Sequence, residues 1–213
     1  PLLGDKSDEK FADSLGGIIE IRAKFLERYQ NRAYADRYRK LVDTVKDVES
    51  SLQGDELSRA VARMYFKLMS YKDEYEVARL YSDGQFKKNL ERQFSGDYSL
   101  TFHMAPPLFA KRDPQTGHLK KKEYGPRMMR AFSMLAGMKV LRGGIFDIFG
   151  KTEERRMERA LIGEYEDLIG EVLRTLDSSN QALAIELASL PEGIRGFGHV
   201  KLASVAVTKA KQA

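Results

Sequence analysis

Residues 34–52 read YADRYRKLVDTVKDVESSL, and their apolar side chains recur in alternating steps of four and three. This spacing places them along one face of an α-helix that packs against a partner helix. A similar helical spacing runs from Leu15 to Tyr29, and Asn31 stands near the break between the two segments. We therefore predict two antiparallel helices that end near Gly54. The apolar positions of the second helix are Tyr34, Tyr38, Leu41, Val45, Val48 and Leu52.

Further helices are predicted on both sides of a short β segment. Helix starts are indicated by residues that accept hydrogen bonds from the first backbone amides, by capping-box pairs three residues apart, and by proline in a first turn. Several such signals occur along the chain, and each predicts a helix that follows it. They are Asp55, the pair Ser82 and Gln85, Pro126, Thr152, and the pair Ser178 and Gln181.

The β segment is predicted from a change of pattern after Gly96. Residues 98–103 alternate apolar and polar side chains, which is typical of a half-buried strand. Residues 108–112 and 118–123 suggest two further extended stretches, joined by the turn-forming residues 113–117. An Asp-Pro start and a closing glycine suit a β-hairpin turn.

These patterns predict a mainly α (α+β) fold. We expect a helical bundle of about seven or eight helices with a small antiparallel β-hairpin or sheet near residues 98–123. Along the chain we expect an N-terminal helical part (1–96), a strand and basic hairpin insertion (97–125) and a C-terminal helical part (126–213), together forming one compact domain.

The composition, 42 % hydrophobic and 31 % charged, is that of a globular protein rather than a disordered chain. No apolar run approaches the roughly 18–20 residues needed to cross a bilayer, and the first residues lack the charge-then-apolar order of a signal peptide. We therefore expect a cytoplasmic protein with no membrane partner. Because the chain begins at Pro1 rather than at methionine, we also expect a fragment of a larger chain.

Cysteine is absent from all 213 residues. Disulfide bridges, thiolate zinc sites, cysteine nucleophiles and all-cysteine iron–sulfur clusters are therefore excluded for this chain alone. The three histidines lie far apart without metal-ligand spacing, and no serine-nucleophile motif occurs. From the sequence we assign no catalytic and no metal-binding residue.

Residues 108–142 hold nine basic and two acidic side chains, a local net charge of +7 against +5 for the whole chain. A lysine cluster on a hairpin attracts anions and acidic protein surfaces. The ordinary alternative is an edge strand whose lysines prevent strand pairing, and nucleic acid is the least favoured partner because no reader motif occurs. The candidate partner-docking residues are Lys111, Arg112, Lys120, Lys121 and Lys122.

A glycine-rich segment, IRGFGHVK, occupies residues 194–201. Glycines let backbone amides turn toward an anion, and the start of the following helix adds positive potential. The competing interpretation is a tight structural loop in which Phe197 enters the core. The candidate anion-binding residues are Arg195, Gly196, Gly198, His199 and Lys201.

Five strings spread along the chain resemble one known family. Together they resemble the carboxyl-terminal region of the large, single-chain bacterial indolepyruvate ferredoxin oxidoreductases, which belong to the 2-oxoacid:ferredoxin oxidoreductases. The resemblance covers nearly the entire chain. The strings are FLERYQNRAYADRYRKLV (25–42), YKDEYEVARLY (71–81), FHMAPP (102–107), EERRMERA (153–160) and IRGFGHVK (194–201).

The resemblance implies a parent enzyme that uses three cofactors. In it, thiamine diphosphate drives decarboxylation of an aryl 2-oxoacid, iron–sulfur chemistry passes electrons to ferredoxin, and coenzyme A accepts the acyl group. Nothing in this chain matches a thiamine-diphosphate motif, and cysteines are absent, so we expect none of these cofactors to bind this chain alone. The exception to be tested is a phosphate of coenzyme A held by residues 195–201 of the assembled enzyme.

The role implied for this chain is a non-catalytic domain that supports assembly, active-site closure or partner docking. Its expected partners are the upstream catalytic domains of the same enzyme and ferredoxin, and a homo-oligomer is compatible with this role. The alternative from another class of protein is an independent binding module for a phosphorylated ligand or nucleic acid.

Overall fold

The computed structural model describes residues 13–104, 122–196 and 199–212. Within these ranges it contains nine α-helices and one two-stranded antiparallel sheet, which confirms the predicted mainly α class with a small β element. No helix in the described ranges is both long enough and apolar enough to span a membrane. In chain order the elements are α1 (Leu15–Tyr29), α2 (Arg32–Glu49), α3 (Glu56–Met69), α4 (Glu74–Ser82), α5 (Gln85–Gln93), β1 (Phe102–Met104), β2 (Lys122–Tyr124), α6 (Met128–Gly137), a 3₁₀ turn (Met138–Leu141), α7 (Glu153–Thr175), α8 (Gln181–Ser189), a second 3₁₀ turn (Leu190–Gly193) and α9 (His199–Gln212).

The chain divides into two compact units. Unit 1 comprises Pro1–Tyr71 and Leu141–Ala213, and unit 2 comprises Lys72–Val140. These units are defined by contacts within the fold, whereas the division at residues 96 and 125 proposed from the sequence marks changes in the type of secondary structure. Unit 1 is therefore built from two stretches of chain that are far apart in sequence.

The helix pair predicted at the beginning of the chain is present as α1 and α2. The side chain of Asn31 accepts a hydrogen bond from the backbone N–H of Tyr34 at 2.9 Å and so caps α2. The side chain of Thr152 caps α7 in the same way, with the N–H of Arg155 at 3.3 Å. The cap at Thr152 was predicted, whereas Asn31 was predicted only to lie near the break between the two helices.

Helix α3 is the central helix of unit 1, since it contacts α1, α2, α7 and α8. Its N-terminus is capped by Glu49, the last residue of α2, whose buried carboxylate accepts the backbone N–H groups of Leu57 and Ser58, both at 2.8 Å. The prediction that Asp55 supplies this cap was wrong in its chemistry. Asp55 occupies the N-cap position, but its side chain pairs with Arg59 at 2.7 Å and makes no cap bond.

A row of three buried tyrosines forms the centre of unit 1. The rings of Tyr38 and Tyr65 stack at 5.9 Å between centroids, and those of Tyr65 and Tyr165 stack at 6.0 Å. Each hydroxyl donates a hydrogen bond, to the carbonyl of Ala62, the carboxylate of Glu166 and the carbonyl of Ala188 respectively. The polar ends of these rings are thereby satisfied inside the core, as buried tyrosines require.

Unit 2 packs α4 against α5 and α6 around aromatic side chains. Tyr81 stacks on Phe132 at 5.0 Å between centroids, and Phe102 meets Phe132 edge-on at 5.3 Å. The predicted strand at residues 98–103 is shorter in the structure, because only Phe102–Met104 is extended and paired. Its partner is Lys122–Tyr124, with Phe102 opposite Tyr124. The predicted strand at 108–112 lies outside the described residues.

Candidate functional site

The glycine-rich segment that follows α8 lies against α3 and α7. After the second 3₁₀ turn, Ile194 is buried, while Arg195 is exposed and held by its backbone. The hydroxyl of Ser204 accepts the Arg195 N–H at 3.1 Å and lies 2.9 Å from the Arg195 carbonyl oxygen. Gly196 has φ +88°, and a Cβ there would stand 2.5 Å from Cγ1 of Val200, so this turn requires glycine.

A cavity of about 150 Å³ opens beside this segment. It brings together three of the residues predicted to bind an anion, namely Arg195, Gly196 and Lys201. Gly198 and the side chain of His199 lie outside what the structure describes. The remaining lining residues come from α3, α7 and Ile194, and they are Lys67, Leu68, Glu158, Leu161 and Ile194.

Glu158 is the buried counter-ion of this cavity. Its side chain is 3 % exposed, and it receives one hydrogen bond from Arg155 at 2.6 Å and another from the ammonium group of Lys201. Lys67 approaches from α3 and donates to the carbonyl oxygens of Pro191 at 2.8 Å and Glu192 at 3.0 Å. These bonds hold the two lysine ammonium groups at fixed positions beside the cavity.

The charges around the cavity leave a positive excess. Burial lowers the pKa of Lys67 below its ordinary value, and the neighbouring charges of Arg195 and Lys201 lower the pKa further against the opposing effect of Glu192. Among the described residues that line the cavity, one carboxylate, Glu158, faces three cations: Lys67, Arg195 and Lys201. An anion in the cavity would relieve this repulsion. The arrangement can bind a phosphate or carboxylate.

The predicted docking surface on the basic hairpin falls mostly outside the described residues. Lys111, Arg112, Lys120 and Lys121 are not among them. Lys122 is described, and it is exposed in β2 opposite Met104. Its docking role stays a prediction.

A second feature of unit 1, the loop at residues 143–150, was not assigned a role from the sequence. Asp147 is 3 % exposed, and its carboxylate accepts the backbone N–H groups of Gly143 at 2.7 Å, Phe149 at 3.2 Å and Gly150 at 2.8 Å. The loop is thus closed from inside by one carboxylate. Three large apolar side chains project from it, Ile145 (81 % exposed), Phe146 (71 %) and Ile148 (50 %).

The sequence signal for this loop was an apolar run bracketed by glycines. Gly143 has φ +74°, and a Cβ on Gly150 would stand 2.2 Å from the Asp147 carboxylate, so both glycines are needed for the turn. What the pattern could not reveal is that Asp147 is the buried member and the apolar residues are the exposed ones. Large apolar side chains exposed together on one short loop are a feature of interaction sites.

Over the described ranges, no group of three or more histidine, aspartate or glutamate side chains is close enough together to hold a metal ion. Residues 15–213 match the model of the "Family of unknown function (DUF6537)", and the chain belongs to this family. Neither the curated proteins nor the solved structures contain a match to this chain.

Proposed function

We propose that this chain is the non-catalytic carboxyl-terminal domain of a cytoplasmic indolepyruvate (2-oxoacid) ferredoxin oxidoreductase. Within that enzyme it supports thiamine-diphosphate-dependent oxidative decarboxylation by docking onto the catalytic region. The family resemblance of the five sequence strings supports the enzyme assignment. The observation that carries the docking role is the apolar loop at residues 143–150.

The strings that carry the resemblance include three of the four charged residues that line the cavity beside Arg195, namely Glu158, Arg195 and Lys201. EERRMERA contains Arg155 and Glu158, and IRGFGHVK contains Arg195 and Lys201. FLERYQNRAYADRYRKLV spans the junction of α1 and α2 with its Asn31 cap. The resemblance therefore includes residues with structural roles, such as the buried Glu158 and the helix cap Asn31.

The loop has the properties of a preformed docking element. The buried carboxylate of Asp147 fixes the loop backbone that bears the three exposed apolar side chains, so little backbone entropy is lost when they are covered. Apolar side chains at the centre of an interface, surrounded by charged residues, are typical of domains that pack on a larger partner. The occupant that we assign to this surface is the catalytic region of the same enzyme.

Replacing Phe146 by aspartate should weaken association between this chain and the catalytic region at least tenfold. Burying a phenylalanine contributes about 1.5–3 kcal/mol, and a carboxylate at that position would be desolvated without a partner. This chain and the catalytic region are expressed separately, and their association is measured by sedimentation or biosensor titration. Thiamine-dependent oxidation of indolepyruvate by the mixture is measured as well.

The matched control is Leu183→Asp in α8, because Leu183 is also more than half exposed and apolar but lies outside the loop. We expect this control to associate like the unchanged chain. Equal weakening by both variants would rule out the loop as the docking element. A catalytic region that is fully active without this chain would rule out the proposed function itself.

A second candidate function is favoured by the cationic cavity beside Arg195. The chain would then bind a phosphorylated ligand, and in the resembled enzyme the ligand with several phosphates is coenzyme A. Coenzyme A and pantetheine are suitable matched probes, because pantetheine lacks every phosphate group.

In this second case, Arg195→Gln should raise the dissociation constant for coenzyme A about tenfold or more. A hydrogen bond to a charged group contributes about 1.5–3 kcal/mol, and Arg195 has no carboxylate among its described hydrogen-bond partners. Calorimetric titration provides the measurement, with Arg174→Gln on the exposed side of α7 as the control. Binding of pantetheine equal to that of coenzyme A, or an unchanged constant in Arg195→Gln, would contradict a phosphate site.

A further inference from the structure

A second cavity in unit 1, of about 240 Å³, shares no lining residue with the cavity beside Arg195. It is bounded by the junction of α1 and α2, the segment just after α3, the start of the loop at residues 143–150 and the first half of α7. Its described lining contains three arginines and no acidic residue. The lining residues are Gln30, Tyr34, Arg37, Tyr71, Arg142, Gly143, Arg159 and Ile162.

Two of the arginines are held firmly by their neighbours. Arg142 is 5 % exposed, its Nη1 donates to the carbonyl of Tyr29 at 2.6 Å, and its guanidinium lies 3.7 Å from the centre of the Tyr29 ring. Arg37 makes two hydrogen bonds to Glu166, at 2.6 and 2.7 Å, and these bonds raise the pKa of Arg37 above its ordinary value. Both charges are therefore fixed in place before any ligand enters.

Arg159 differs from these two because one of its terminal nitrogens has no acceptor in the described part of the chain. Its Nη2 donates to the carbonyl of Gly150 at 2.6 Å. Its Nη1 is buried and has no hydrogen-bond acceptor in the part of the chain that the structure describes. A buried cationic N–H group without an acceptor is unfavourable, so the guanidinium group of Arg159 is less well satisfied than those of Arg37 and Arg142.

The described lining of this cavity is positively charged, because its charged members are all arginines. Glu166 pairs with Arg37 from outside the lining. A Cβ on Gly150 would stand 2.2 Å from Oδ2 of Asp147 and 3.0 Å from Nη1 of Arg159, so the carboxylate and the guanidinium flank the same glycine.

We propose that this cavity binds the oxyanion group of a small organic molecule, with the guanidinium group of Arg159 as a direct donor. Arg142 and Arg37 supply the positive field, and phosphate and carboxylate groups share the required chemistry. The cavity is larger than a bare phosphate but smaller than the roughly 300–1,000 Å³ typical of drug-sized ligands. The rings of Tyr34 and Tyr71 provide walls for the organic part of the ligand. This site is independent of the proposed enzyme assignment.

The test uses two probes on the 213-residue chain, inorganic phosphate and benzoate, each at an ionic strength matched with sodium chloride. Binding of at least one probe should saturate, and Arg159→Gln should raise its dissociation constant at least tenfold. The matched control is Arg156→Gln, because Arg156 is exposed on the same helix and does not line the cavity. Saturation by phosphate alone assigns a phosphate ligand, and saturation by benzoate alone assigns a carboxylate ligand.

The unchanged chain provides a readout that does not depend on how the variants fold. In ¹⁵N–¹H spectra, the backbone amide of Gly143 and the side-chain signals of Arg159 should shift with a common saturation curve as the probe is added. The proposal is overturned if neither probe saturates, if the shifts equal those caused by chloride, or if Arg159→Gln binds the probe as tightly as Arg156→Gln.

Discussion

Replacing Glu49 by alanine is expected to lower the free energy of unfolding by about 3–4 kcal/mol. The carboxylate of Glu49 is 1 % exposed and accepts the backbone N–H groups of Leu57 and Ser58 as well as the Ser58 hydroxyl. Without it, two buried amides at the start of α3 lose their acceptor, and each unsatisfied group costs about 1–3 kcal/mol. The negative charge that favours this helix end is lost as well.

The whole chain is unfolded with urea, and the loss of helix in unit 1 is monitored by far-ultraviolet circular dichroism. Glu56→Ala serves as the control, since Glu56 is an exposed acidic residue in the first turn of the same helix and should change stability by less than about 1 kcal/mol. Similar losses in the two variants would contradict a specific capping role for Glu49. Glu49→Gln should fall between them, because its amide oxygen can still accept one hydrogen bond.

The sequence predicted helix positions well wherever the deciding contacts are local. Asn31 and Thr152 cap helices through bonds to residues three positions later, and one-dimensional spacing contains that information. Small polar side chains can instead donate to a backbone carbonyl four residues earlier, which explains why the capping box predicted at Ser82 and Gln85 was wrong. Ser82 is the last residue of α4 and donates to the carbonyl of Ala78 at 2.8 Å, while α5 begins after Gly84 at φ +82°.

The capping box predicted at Ser178 and Gln181 was wrong for a related reason. Asn180 occupies the N-cap position of α8 and makes no side-chain cap bond, while Asp177 accepts hydrogen bonds from Ser179 and Asn180 in the preceding turn. Asp177 and Ser178 are both able to accept hydrogen bonds from the backbone amides that follow, and spacing alone does not decide between them. The Glu49 cap was missed because its partners lie beyond a loop.

The two cavities differ in how much of each the sequence could predict. Arg195, Gly196 and Lys201 are close in the sequence, and the structure brings them to one cavity. Lys67 and Glu158 belong to α3 and α7, and only helix packing brings them to that cavity. Arg37, Arg142 and Arg159 are likewise distant in sequence, so their convergence is a tertiary property that no local motif indicates.

Replacing Glu158 by glutamine is the second change with a large expected effect. It should lower the free energy of unfolding by about 3–5 kcal/mol, because removing one member of a buried ion cluster leaves the other charges uncompensated. Glu158 is 3 % exposed and holds Arg155 and Lys201, with Lys67 and Arg195 nearby. Glu171→Gln is the control on α7, since its ion pair with Arg174 is exposed and its loss should cost less than about 1 kcal/mol.

In the Glu158→Gln variant, the thermal stability of the chain also reports on anion binding at the cavity. In Glu158→Gln, the cations at the cavity lack their carboxylate, so inorganic phosphate should bind more tightly than in the unchanged chain. A ligand at 100 times its dissociation constant adds about 2.7 kcal/mol to stability, which would recover much of the loss. Thermal unfolding at matched ionic strength measures this recovery. If phosphate stabilises the unchanged chain, Glu158→Gln and Glu171→Gln equally, its effect is general screening, and the cavity beside Arg195 is a structural ion cluster rather than a binding site.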